Sequence, residues 1–257
     1  MQYIIYNEQI ENKTMVGLPA LGERKEIYKK LAEKLPGLKF ICFDLPGHSS
    51  SGLDMTIENY LKEIHKILTE LNIRNYHLIG NSIGAWLIQA FYQQYPNYIQ
   101  SLWLLDGGYD YEKNPNEEEI KLPQTENFED IEGSINAMIA LTKTLENEED
   151  KTFFLKYFID NFVYEDGVYK HHANEVIVNR LVKEIDVQKL GSQTFHVPVF
   201  LCVASESFIQ VINRMFFYEF EKRQNVVSHI IPNGQHLLPL TNSDDIANLM
   251  LKYLKLL

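Results

Sequence analysis

Apolar positions along the chain fall into short continuous runs that alternate with stretches of helical spacing. Gln2 to Tyr6 and Thr14 to Leu18 are β-rich runs separated by polar turn material at Asn7 to Asn12. Glu23 to Leu35 repeats apolar residues at Ile27, Leu31 and Leu35 and stops at Pro36-Gly37, which predicts a helix. Leu38 to Phe43 is the next strand. Met55 to Leu71 is a second helix, with Thr56 as N-cap and Ile57, Leu61, Ile64 and Leu68 on one face. Tyr76 to Ile79 is a strand that runs through Gly80-Asn81-Ser82-Ile83-Gly84 straight into an amphipathic helix, and Gln100 to Leu105 is a strand that ends at Asp106-Gly107-Gly108. Nearly continuous apolar strands alternating with helices predict an α/β fold whose parallel sheet is covered on both faces. Ligands of such sheets bind beyond the carboxyl ends of the strands, and Leu18, Ser82 and Asp106 all fall at such ends.

The alternation breaks off at residue 109. From there to 195, acidic loops (Glu117 to Glu119, Glu146 to Asp150) separate helical runs, and Lys151 to Tyr164 is dense in aromatics. The expected organisation is a core of residues 1–108 and 196–257 with a helical cap over 109–195. The aromatic stretch reads as packing between cap and core, and the acidic loops as solvated surface. Val197 to Ala204 resumes the sheet, Ser207 to Gln224 is helical, and Val226 to Ile231 is the last strand. Ser243 caps the closing helix, which runs to Leu257.

The chain has 257 residues, enough for one α/β core with a small insertion. A formal net charge of −11 argues against nucleic acid or an anionic membrane surface as partner. The two cysteines, Cys42 and Cys202, sit inside apolar strands, which suits buried thiols in a reducing compartment. The first residues, MQYIIYNEQIENK, lack the basic and apolar regions of a signal peptide, and no apolar run is long enough to span a bilayer. A cytoplasmic location is the expectation.

The chemistry concentrates at Ser82. A strand that turns sharply into a helix leaves no room for side chains on either side of the apex, which accounts for Gly80 and Gly84. The serine is exposed above the sheet, and the Ile83 N–H points with the helix N-terminus toward the space an oxyanion would occupy. In this strand–turn–helix context GNSIG resembles the nucleophile elbow of the α/β-hydrolase superfamily. Three further motifs carry the resemblance: Val16-Gly17-Leu18-Pro19 after an early strand, Asp44-Leu45-Pro46-Gly47-His48 after the next, and Asn233-Gly234-Gln235-His236 after the last. The resemblance implies the α/β-hydrolase fold, with His236 as base and the Leu18 and Ile83 amides as oxyanion donors. Val16 stands where the family often carries a histidine. Asp44 and His48 are expected to satisfy backbone groups beside the site.

The acid departs from the family's pattern. Its commonest position, after the strand that follows the cap, is Ser207 here, and a serine cannot hold an imidazolium electrostatically. Asp106, at the end of the strand after the elbow helix, is the favoured substitute, with Glu206 as the alternative. The resemblance implies a serine hydrolase acting on a small ester or related acyl compound with an apolar portion. C–C bond hydrolysis, lactone opening or a lyase step on the same triad remain alternatives, as does a non-catalytic ligand-binding protein on this scaffold. No cofactor or metal is expected, since the histidines show no paired ligand spacing and the adjacent His171-His172 suits a surface turn. The oligomeric state is not legible.

Overall fold

Each sheet strand sends alternate side chains to opposite faces, and two apolar clusters form as a result. Val16, Ile41, Leu78 and Leu102 join one cluster, while their neighbours Met15, Cys42, Ile79 and Trp103 join the other. The computed structural model describes residues 1–49, 55–109, 119–187, 194–209 and 211–255. Glu117, Glu118 and Leu257, which enter the expectations above, lie outside them.

In chain order the elements are β1 (Tyr3–Tyr6), β2 (Thr14–Leu18), α1 (Lys29–Lys34), β3 (Lys39–Phe43), α2 (Ile57–Glu70), β4 (Tyr76–Asn81), α3 (Ile83–Gln94) and β5 (Ile99–Leu105). Then come β6 (Gln124–Thr125), α4 (Phe128–Leu141), α5 (Glu148–Ile159), β7 (Phe162–Glu165), β8 (Val168–His171) and α6 (Glu175–Val187). The chain closes with β9 (Val199–Ala204), α7 (Ser205–Phe208), α8 (Val211–Glu221), β10 (Val226–Ile231), α9 (Leu238–Thr241) and α10 (Ser243–Leu254). The central sheet has the order β1-β3-β2-β4-β5-β9-β10. Only β1 runs antiparallel to its neighbour; the other pairings are parallel.

One apolar cluster packs α2 and α3 against the sheet through Ile57, Leu61, Ile64, Leu87 and Phe91; the other packs α1 and α10 through Leu31, Ile246 and Met250. Thr56 caps α2 as expected, its side chain accepting from the Asn59 N–H at 3.3 Å. Some boundaries differ: the helix expected over Ser207 to Gln224 is two, α7 and α8. Residues 25–28 form a 3-10 turn before α1, and the N-cap of α10 is Asn242 rather than Ser243. Cys42 and Cys202 are buried and unpaired.

Between β5 and β9 the chain leaves the sheet. This stretch is not all helical: besides α4, α5 and α6 it holds a three-stranded antiparallel sheet in the order β6-β8-β7. The signal for it is Asp166-Gly167, both at positive φ between two β-rich runs. Part of the aromatic stretch does pack the insertion onto the core, with Phe154 and Tyr157 buried in α5. The acidic loop before α5 is not purely solvated, since Lys30 reaches Glu149 at 2.6 Å and Asp150 at 3.2 Å.

Candidate active site

Parallel pairing sets the rim. Leu18 at the end of β2 lies opposite Gly80, and Asn81 at the end of β4 lies opposite Leu105, one residue before Asp106. Three strand ends thus deliver Leu18, Ser82 and Asp106 to one edge. Ser82 sits at φ 53° and ψ −122°, outside the regions most side chains adopt, between a strand and the first turn of α3. Its N–H donates to the Leu105 carbonyl at 2.9 Å, which ties the turn to β5. The glycines answer to close approach. A Cβ on Gly84 would meet the Leu18 carbonyl oxygen at 2.3 Å, and one on Gly80 would meet the Gly84 carbonyl oxygen at 2.2 Å. The first contact holds the end of β2 against the start of α3. Leu18 is fully buried, with its carbonyl accepting from the Tyr28 hydroxyl at 2.7 Å. Ile83 opens α3, so its N–H has no partner within the helix.

Asp106, at φ 45°, turns its carboxylate back under the rim. Oδ1 accepts from the Ala204 N–H at 2.9 Å. Oδ2 accepts from the Ser207 hydroxyl at 2.7 Å and from His236 Nδ1 at 2.6 Å. The carboxylate is 2% exposed, while the His236 ring is 55% exposed. Because an ionised carboxylate only accepts, Nδ1 carries the proton and Nε2 is left as an acceptor. Glu206, the alternative acid, lies exposed in the first turn of α7, where its backbone N–H donates to the Gly234 carbonyl at 3.2 Å. The structure therefore brings Asp106, and not Glu206, to His236. Ser207 is a donor to Asp106.

Sequence reasoning passed over two supports. Asn81 is fully buried, and its Nδ2 donates to the Leu105 and His236 carbonyls, each at 2.9 Å. It joins the elbow, the acid strand and the histidine loop. Gln89, one helical turn past Ala85 on α3, donates to the Gly108 carbonyl at 2.6 Å and steadies the loop after Asp106. Both are polar residues on otherwise apolar, buried faces, which was the available signal.

Asp44 and His48 do what was expected of them. Asp44 pairs with Lys25 Nζ at 2.7 Å and accepts its N–H at 2.8 Å. His48 donates Nδ1–H to the Pro46 carbonyl at 2.9 Å and accepts the Gly22 N–H at 2.8 Å. His171 and His172 are not on a surface turn. They are half-buried in the seam between insertion and core, where His172 accepts the Ser49 N–H at 2.8 Å and donates to the Gly22 carbonyl at 3.0 Å. The seam backbone needs those partners, and burial pushes the His48 and His171 pKa values down to about 4 and that of His172 to about 3, which keeps all three rings neutral. Among the described residues no group of three or more His, Cys, Asp or Glu side chains is arranged to hold a metal ion.

A cavity of about 230 Å³ opens at Ser82, lined by Leu21, Ile83, Trp86, Val182 and Ile185. Residues 13–131 match the family model of the alpha/beta hydrolase fold. The chain has the α/β-hydrolase fold. Over 105 residues it is 29% identical to lipase 3 of Moraxella sp. (strain TA144), covering 39% of this chain and 33% of the relative. Over 95 residues it is 30% identical to the human monoacylglycerol lipase ABHD6, covering 34% of this chain and 28% of that protein. The match thus spans about a third of each relative's length. The thioesterase domain from the curacin biosynthetic pathway superposes with a TM-score of 0.73 over 97% of this chain and 94% of its own, at 16% identity. Among the described residues no helix is long and apolar enough to cross a membrane.

Proposed function

We propose that this chain is a cytoplasmic serine hydrolase that cleaves a small ester or related acyl compound, with Ser82 as nucleophile, His236 as base and Asp106 as acid. The observation that carries the reading is the 2.6 Å hydrogen bond from His236 Nδ1 to a buried Asp106 carboxylate, on the rim where Ser82 occupies a strained elbow. With Nδ1 protonated, Nε2 takes the proton of Ser82 as Oγ attacks the carbonyl. The amides of Leu18 and Ile83 stabilise the oxyanion, His236 returns the proton to the leaving alcohol, and water then releases the acyl-enzyme. Residues 109–195 act as the cap that shapes the substrate space. The apolar lining at Ser82, with Trp86 and Ile185, suits an aliphatic acyl chain. The names of the relatives, lipase and monoacylglycerol lipase, agree with ester chemistry.

Fluorophosphonate labelling with turnover of p-nitrophenyl acetate and butyrate tests this. Wild type labels and turns over, and Ser82→Ala does neither. A folded wild type that neither labels nor turns over sinks the hydrolase reading in favour of a binding protein.

A further inference from the structure

A second cavity, of about 430 Å³, lies beneath the insertion and does not include Ser82. One wall is the inner face of α4, where Ile131, Ile135 and Met138 follow helical spacing; Phe158 and Phe162 supply apolar surface opposite. Glu23 also lines this cavity, from the loop after β2. Leu21, two residues earlier in that loop, lines the cavity at Ser82.

Glu23 is 8% exposed. Its Oε2 accepts from the Tyr157 hydroxyl at 2.8 Å and from Asn161 Nδ2 at 3.3 Å, both neutral donors. Arg24 turns its donors elsewhere: Nε to Asn161 Oδ1 at 2.7 Å, and one terminal nitrogen to the Tyr157 carbonyl at 2.8 Å. It is shared with Glu26 and Asp160. Among the described residues no lysine or arginine pairs with Glu23, and none lines the cavity. A second carboxylate, Asp130, lies on its wall. Burial raises the pKa of Glu23, while the hydrogen bonds from Tyr157 and Asn161 and the nearby Arg24 charge act the other way, so its charge is only partly compensated.

We propose that this cavity is a subsite for an alkylammonium group, with Glu23 as its counter-ion and the α4 face taking the apolar stem. A primary ammonium brings a directly paired cation and charged N–H donors beside the neutral ones from Tyr157 and Asn161, and Phe158 and Phe162 add aromatic faces. The overall charge of −11 steers cations toward such a pocket. In combination with the ester-hydrolase reading, on which the word substrate rests, the substrate is an ester bearing an amine.

Calorimetric titration of hexylammonium, 1-hexanol and hexanoate into wild type and Glu23→Gln tests the subsite directly, at matched salt. Wild type is expected to bind hexylammonium about tenfold or more tighter than 1-hexanol, with hexanoate weakest, the margin of a charge-assisted over a neutral hydrogen bond. Glu23→Gln, checked for folding by circular dichroism, is expected to lose that preference. No binding of hexylammonium, 1-hexanol binding as well or better in wild type, or a preference that survives in Glu23→Gln would overturn the proposal. Because binding is read without turnover, an unreactive Ser82 would sink the hydrolase reading and leave this result standing.

Discussion

Replacing Asp106 with Asn keeps the shape of the acid and changes what it can donate and accept. The carboxylate accepts three hydrogen bonds, one on Oδ1 from Ala204 and two on Oδ2 from Ser207 and His236. An amide offers one oxygen and one NH2. With the oxygen toward His236, the NH2 would face the buried Ala204 N–H, leaving a donor unsatisfied at a cost of about 1–3 kcal/mol. The opposite orientation keeps the Ala204 bond, lets the Ser207 hydroxyl rotate to accept, and makes the NH2 donate to Nδ1. This second arrangement is the stable one, and it moves the ring proton to Nε2, where it cannot accept from Ser82. Loss of the reactive tautomer lowers kcat by about 10³- to 10⁴-fold, or roughly 4–5.5 kcal/mol of barrier. Steady-state turnover of p-nitrophenyl butyrate reads this, with thermal melting to show that the fold persists. Glu206→Gln should stay within about twofold of wild type, as expected of an exposed side chain whose backbone bond to Gly234 the change leaves in place. Collapse in Glu206→Gln, or an Asp106→Asn enzyme near wild-type rate, would refute the assignment of the acid.

The Gly84→Ala change puts a methyl 2.3 Å from the Leu18 carbonyl oxygen, so β2 and α3 must part by about an ångström, a misplacement that can cost on the order of 100-fold in kcat/KM; unaltered kinetics in a folded protein would contradict the proposed oxyanion geometry. Lys25→Met leaves Asp44 buried without its cation, which should cost about 3–5 kcal/mol and lower Tm by roughly 6–20 °C in calorimetry. His172 is held neutral at the seam with its pKa depressed to about 3, so the unfolded chain binds the extra proton first. Its contribution to stability is complete above the ordinary histidine value of about 6.5 and falls as pH drops toward 3. The slope of Tm against pH over that window should therefore be shallower in His172→Gln than in wild type, and equal slopes would count against it.

Local chemistry made much of this molecule readable in one dimension. Apolar runs of strand length between helical repeats dictate a covered parallel sheet, because no other arrangement buries both faces of such strands. Gly80 and Gly84 flanking Ser82 speak for themselves, since only glycine allows the backbones to approach as closely as they do. What stayed open depended on contacts between residues far apart in the chain. Whether Asp106 or Glu206 met His236 turned on the register of β5 against β9, which aims Asp106 at the Ala204 N–H and the Ser207 hydroxyl. Asn81 is an ordinary polar residue until the His236 loop folds over it. The small sheet in the insertion and the burial of His171 and His172 followed from a seam whose backbone groups needed partners. The cavity beneath α4 belongs to tertiary structure altogether, because Glu23 gains its meaning only when α5 closes over it and removes the water that would otherwise solvate its charge.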